Sequence, residues 1–137
     1  MIFGIGIDTV SISRIEALIE TRGEKFLRKV FSANEIEEGM KRENRAPFFA
    51  ARFAAREAFV KALGTGFTRG VSLHDIGVNK GERGKPELHF SERGTALLAS
   101  KGITKCHVSM AHDGDSAQAI VILECAPIAH GRKGEET

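Results

Sequence analysis

The chain has no tryptophan, no tyrosine, only three prolines and two cysteines, and its charges nearly cancel to a formal +2. Each scarcity narrows the field. A charge that small gives no case for nucleic acid as a partner. Cys106 and Cys125 lie in apolar, strand-like runs without metal-ligand spacing, so they read as reduced, buried thiols of a cytosolic protein in preference to a disulfide. His74, His89 and His107 likewise show no mutual spacing that would hold a metal. Long apolar runs are missing too. The opening MIFGIGID has no basic lead-in and reaches an acid at Asp8, which fits neither a secretion signal nor a membrane span. The expected location is the cytoplasm, with no membrane partner.

What remains is ordinary in composition and specific in pattern. Hydrophobic residues at 42% and charged residues at 28% suit a soluble globular protein, and 137 residues suffice for one compact domain with a real core. That domain is expected over residues 1–126, with 127–137 a polar, frayed tail.

Phe3, Ile5 and Ile7 alternate with Gly4, Gly6 and Asp8, which predicts a strand with one apolar side and one stripped bare. In VSISRIEALIETRG, Ser13 and Glu16 have capping-box spacing, and Gly23 is a plausible stop. A short helix in KFLRKVF and another opened by Ser32 and Glu35 follow, then the polar loop KRENRA. Pro47 suits the first turn of a long helix running to about Leu63. Beyond the Gly64-Thr65-Gly66 turn the period changes to two. GERG joins two strands, Ser91 caps a helix ending at Gly102, and a turn at residues 113–115 joins the last two strands. The predicted fold is α+β: a mostly antiparallel sheet packed against one long helix, plus short helices.

One constellation carries chemistry. Ala50, Ala54, Glu57, Lys61 and Gly64 are spaced by four, three, four and three, so they share one stripe of the long helix. The bare face of the first strand is the natural partner of the alanines, and that packing would bring Asp8 to Glu57. Two carboxylates so placed repel unless a cation lies between them. Mg²⁺ is the natural choice, because it takes oxygen ligands, keeps waters and is commonly held by one or two acids plus substrate phosphates. Taken alone, Asp8 would merely end a strand, and Glu57 with Lys61 would be an exposed i,i+4 pair contributing about 0.3–0.5 kcal/mol. Against that reading, the pair lies on the alanine stripe and leads into a glycine turn whose N–H groups suit phosphate oxygens. Carboxylates, an ammonium and an amide-rich turn are the parts of a metal-assisted phosphoryl-transfer site. GIGIDT only partly mimics a dinucleotide fingerprint; its glycines lie within the strand and the third is absent. His112 and Asp113 are expected at an exposed sheet end, where turn chemistry accounts for Asp113.

GIGIDTVSISRI, FFAARFAAREAFVKALGTG and HVSMAHDGDSAQAIV resemble, in order and interval, three stretches of the holo-acyl-carrier-protein synthases, the small bacterial-type 4′-phosphopantetheinyl transferases. The resemblance runs from Met1 to about Glu124. It implies transfer of the phosphopantetheine arm of coenzyme A to a serine of apo-acyl carrier protein, with release of adenosine 3′,5′-bisphosphate. It implies Asp8 and Glu57 as Mg²⁺ ligands, and Lys61 beside the diphosphate as charge stabiliser and a candidate proton donor to the leaving group. Gly64 and Gly66 fall in the phosphate-facing turn, and His112 matches a coenzyme A contact. Either Glu57 or a metal-bound water takes the serine proton. Arg56 stands where the family usually has lysine, and Asp113 carries over less well than His112. A homotrimer with active sites between subunits is implied as well, which would explain how a chain without tryptophan or tyrosine builds a cofactor cleft. Carrier proteins are acidic, so Arg14 and Arg22, in a modestly basic segment, are the expected docking residues, although a solvated helix face would look the same. The rival reading is a non-catalytic module that binds coenzyme A or a carrier protein; such a module would have no need of the two acids.

Overall fold

The computed structural model describes residues 1–64 and 71–127. In chain order they form β1 (Ile2–Ser11), α1 (Ile12–Arg22), α2 (Glu24–Val30), α3 (Ala33–Met40), α4 (Ala46–Leu63), β2 (Ile76–Lys80), β3 (Pro86–Phe90), α5 (Glu92–Ser100), β4 (Ile103–Asp113) and β5 (Ser116–Cys125). Residues 65–66 of the glycine turn, and the polar tail after Pro127, lie outside the described residues. No described helix is long and apolar enough to cross a membrane.

Strands β1, β5 and β4 form an antiparallel sheet in that order, and β2 pairs with β3 in a separate antiparallel hairpin. The α+β expectation holds, with the strands divided between two sheets. The chain leaves β3 through α5, and β3 then lies beside β4 without joining its ladder.

Placing α4 explains the bare side of β1. A Cβ on Gly4 would lie 2.0 Å from the Ala62 carbonyl oxygen, and one on Gly6 would lie 1.9 Å from that of Ala58. Only hydrogen fits at both positions. The expected alanine stripe therefore meets the strand, but along a line through Ala58 and Ala62, which leaves Glu57 and Lys61 at the rim of the contact. Ala50 and Ala54 are buried as expected. Of the phenylalanines on α4, Phe49 and Phe59 are buried, whereas Phe53 is only half-buried. A run of rings, Phe26 to Phe31 to Phe49 to Phe48, joins α2 to the start of α4 with centroids 5.9, 4.9 and 5.2 Å apart.

The other side of the sheet has no cover among the described residues. Ile5 and Ile7 are 56% and 62% exposed, and they pair across the ladder with Ile122 and Ile120.

Several caps fall where expected. Ser32 and Glu35 make a reciprocal capping box, Ser91 accepts from the Gly94 amide, and Pro47 sits in the first turn of α4. The start of α1 needs correction. Its cap is Ser11, whose Oγ accepts from the Arg14 N–H at 3.2 Å, and Ser13 is already helical. The reason is that β1 stays paired with β5 out to Ser11↔Ser116, so the helix begins right beside the β4–β5 turn. There Asp115 accepts from the Ser13 N–H and Oγ and from the Ser11 Oγ, each at 2.9 Å, while its own carbonyl accepts from the Ile12 N–H at 2.8 Å. The Ser13 and Ser11 hydroxyls and the Ser13 amide hold the Asp115 carboxyl below its usual range.

Arg56 has no exposure at all. Its Nε donates to the Leu73 carbonyl at 3.0 Å, Nη1 to Glu35 Oε2 at 3.1 Å and to the Arg52 carbonyl at 3.2 Å, and Nη2 to Glu35 Oε1. Glu35 also accepts from the Ser32 and Val78 amides, both at 2.9 Å. A planar fork with five donors satisfies this arrangement; an ammonium has neither the number nor the geometry. The charge at position 56 is thus a bolt joining α3, α4 and the chain leading into β2. The cysteines are free and half-buried, not fully buried; burial pushes the Cys106 thiol up to about 11, so it stays protonated.

If the β1–α4 contact sets the fold, Gly6→Ala should destabilise by about 3 kcal/mol or more, because a methyl placed against helix backbone has no room to relax. Urea unfolding of the variant beside wild type checks this, and a loss below about 1 kcal/mol would show that the two backbones are not so tightly held.

Candidate active site

At the end of the glycine-cleared face of β1, Asp8 meets the last turns of α4. Lys61 Nζ donates to Asp8 Oδ1 at 2.9 Å and to the Ile7 carbonyl at 3.0 Å. The ion pair expected from helix spacing, Glu57 with Lys61, is replaced by one that bridges helix and strand. Glu57 lies half-buried in the same cluster. Burial first, and then the Asp8 carboxylate, push its carboxyl above the usual range, while Lys61 and Arg14 pull it back. Asp8, Glu57, Lys61 and Arg14 therefore share one electrostatic neighbourhood drawn from β1, α4 and α1. Gly64 closes α4 in the left-handed region, φ 84°, with its N–H on the Val60 carbonyl at 3.3 Å.

The donor set suits a hard divalent cation. Two acids and a backbone carbonyl offer only oxygen, and the Asp8 charge adds to burial in raising the Glu57 carboxyl. No cluster of three or more histidine, cysteine or acidic residues capable of caging a metal occurs among the described residues. An ion held here by Asp8 and Glu57 would draw its remaining ligands from water and substrate.

His112 does not join this cluster. The register runs His112↔Ala117 on β5 and Val10↔Ala117 on β1, which places His112 two strands over, about 10 Å across the sheet. It lines a separate 390 Å³ pocket with Arg42, Asn44, Phe48 and Arg52. Phe48 and Glu57 are about two and a half helical turns apart, so that pocket opens on the opposite flank of α4. Arg42 and Arg52 stack over the Phe48 ring at 4.5 and 3.7 Å, and burial pulls the Arg52 guanidinium down to about 10. Asp113 is exposed in the last rung of β4, opposite Ser116. Arg22 is exposed in the last turn of α1, about 12 Å along the helix from Arg14.

Sequence reasoning missed the basic lining around His112. Its signal was the i,i+4 pair of Phe48 and Arg52, hidden by the neighbouring alanine stripe. It also missed Asp115, for which nothing local gave a cue.

A family model described as the 4′-phosphopantetheinyl transferase superfamily matches residues 4–121. A curated holo-acyl-carrier-protein synthase of Wolbachia pipientis subsp. Culex pipiens is 48% identical over 126 residues, covering 90% of this chain and 98% of the relative. Among solved structures, the holo-acyl-carrier-protein synthase of Neisseria meningitidis superposes with a TM-score of 0.84 at 36% identity, covering 90% of this chain and 99% of that one. The Helicobacter pylori synthase in complex with coenzyme A does so with a TM-score of 0.76 at 32% identity, covering 88% and 99%.

The displaced Glu57 carboxyl has a consequence for stability. An acid whose folded-state pKa is raised binds its proton more tightly in the folded chain, so stability falls as pH rises through the window between the ordinary glutamate value and the raised one. In metal-free buffer, Glu57→Gln should match wild type below that window and melt at a higher temperature above it. Melts recorded from pH 4 to 8 check this; a variant less stable than wild type at pH 8 would show that the Glu57 charge supports the fold.

Proposed function

Since the chain belongs to the 4′-phosphopantetheinyl transferase superfamily, we propose that it transfers the 4′-phosphopantetheine arm of coenzyme A to a serine of apo-acyl carrier protein, releasing adenosine 3′,5′-bisphosphate. The observation that carries this reading is the convergence of Asp8, Glu57 and Lys61 from a strand and a helix. Mg²⁺, held by Asp8 and Glu57, would supply charge neutralisation for the diphosphate. Lys61 would add a mobile cation where negative charge grows as the phosphoanhydride bond breaks. The proton of the approaching serine hydroxyl would pass to Glu57, directly or through a water. Gly64 ends the helix beside Lys61, at the start of the turn assigned to the phosphates.

The basic pocket of His112, Arg42 and Arg52 suits an anionic part of coenzyme A, yet it lies away from Asp8 in the same chain. An assembly in which one subunit offers the acids and another offers His112 resolves that separation. The uncovered apolar face bearing Ile5, Ile7 and Ile120 supports such an assembly, and a homotrimer is the form proposed. Arg14, close enough to Glu57 to act on its charge, ties carrier docking to the reacting centre, with Arg22 farther along the same helix.

Incubation with apo-carrier protein and coenzyme A should add one phosphopantetheine mass to the carrier, and only when Mg²⁺ is present. Asp8→Ala and Glu57→Ala should each lower kcat/KM at least about a thousandfold while circular dichroism stays native. An unmodified carrier with wild-type protein and Mg²⁺ would end the enzyme reading. For docking, Arg14→Glu should raise the carrier KM about tenfold and leave coenzyme A binding unchanged. Equal losses in both would move Arg14 out of the docking surface and into the coenzyme A site.

A further inference from the structure

Resting on the metal reading of Asp8 and Glu57, we propose that Lys61 is the placeholder for the divalent cation. It neutralises Asp8 while the site is empty, is displaced when the ion binds, and is thereby released to the anionic substrate.

The pairing chosen by Lys61 is the first reason. A lysine one turn after a glutamate would ordinarily find it at i+4, and Glu57 is available half-buried on the same stripe. Lys61 instead reaches across to β1 and spends two of its three N–H groups on Asp8 Oδ1 and the Ile7 carbonyl, at 2.9 and 3.0 Å. Both acceptors are hard oxygens facing the same cluster. The ammonium thus occupies the place where Asp8, Glu57 and a backbone dipole together demand positive charge. A divalent cation would answer the same demand at a ligand distance of about 2.1 Å, and an ammonium held on the same oxygen would repel it and compete for the place.

Mobility decides which partner yields. The Lys61 side chain is 56% exposed and the Asp8 side chain 15%. Asp8 is fixed by its strand, whereas Lys61 is a flexible stem that can swing out without opening the core. It also sits in the last turn of α4, where a cation close to the helix end is favoured. Once Asp8 is taken, Lys61 has no acid partner on its strand side and is free for the phosphates that complete the ion's sphere.

Two bindings are linked by this exchange. In the empty site the ion must break the Lys61–Asp8 pair with nothing to receive the ammonium; with a diphosphate present the ammonium gains a new partner. Metal and substrate should therefore strengthen one another, by the same factor in each direction.

The test titrates Mn²⁺, followed by its electron paramagnetic resonance signal, into full-length wild type, Lys61→Met and Lys61→Gln, with and without coenzyme A. Both variants should bind Mn²⁺ alone about tenfold more tightly than wild type, because the competitor is gone. Coenzyme A should tighten Mn²⁺ binding in wild type and do so much less in the variants. Mn²⁺ affinity unchanged or weakened in both variants would overturn the exchange while leaving the metal site standing. Absence of Mn²⁺ binding in all three proteins, even with coenzyme A, would instead remove the metal reading and this inference with it. Asp8→Asn, which should lose Mn²⁺ binding, shows that the signal reports this site.

Discussion

The structure turns on the contact between the backbones of β1 and α4. Gly4 and Gly6 let the carbonyls of Ala62 and Ala58 approach to where any side chain would collide. Hydrogen at two positions is not required for a sheet to cover a helix; larger residues would simply hold the two further apart. The near approach matters because of what stands at its rim. Asp8 continues the glycine face of the strand, and Glu57 and Lys61 flank the alanines of the helix. Moving the helix outward by one methyl layer would draw both Glu57 and Lys61 away from Asp8. The cost is a strand with two weak residues and a helix interface built from methyl groups, each contributing little apolar area.

That cost is offset elsewhere. The chain of phenylalanine rings, with Ile15, Ile19 and Leu27, provides the deep core beside the helices. Charged groups then fix how the helices meet. Arg56 and Glu35 carry full charges into a buried interior, which is tolerable because every Arg56 side-chain nitrogen and both Glu35 oxygens are hydrogen-bonded. Hydrophobic packing tolerates small sliding, whereas a bidentate pair does not. Position 56 is next to position 57, so the bolt that locks α4 also sets the direction of the Glu57 carboxylate on the adjacent side of the helix.

Much of this was legible beforehand, because it rests on local rules. Alternation exposed the bare face of β1, the spacing of Ala54, Glu57 and Lys61 exposed the stripe, and short-range caps placed α3, α4 and α5 nearly to the residue. What stayed hidden depends on partners distant in the chain. Glu35 looks complete as a capping residue, and only the fold shows that it also holds Arg56, 21 positions on. Asp115 reads as a turn residue until its carboxylate is found on Ser13, 102 positions away. The same blindness misplaced the α1 cap, since the ladder that prolongs β1 to Ser11 is set by β5. Lys61 was the sharpest case. Sequence spacing offers Glu57, and the strand 53 positions earlier wins.

The outcome at Lys61 also follows from charge balance. Asp8, its side chain 15% exposed, takes the ammonium, and Glu57, desolvated beside the Asp8 charge, is left with a raised proton affinity. Lys61 and Arg14 both lower that affinity but leave a deficit, set first by burial and then by the Asp8 charge. A folded chain selected for stability alone would replace Glu57 with a neutral residue and close that deficit. A half-buried acid between the alanines and Lys61 is the kind of group that a divalent ion from solution would satisfy.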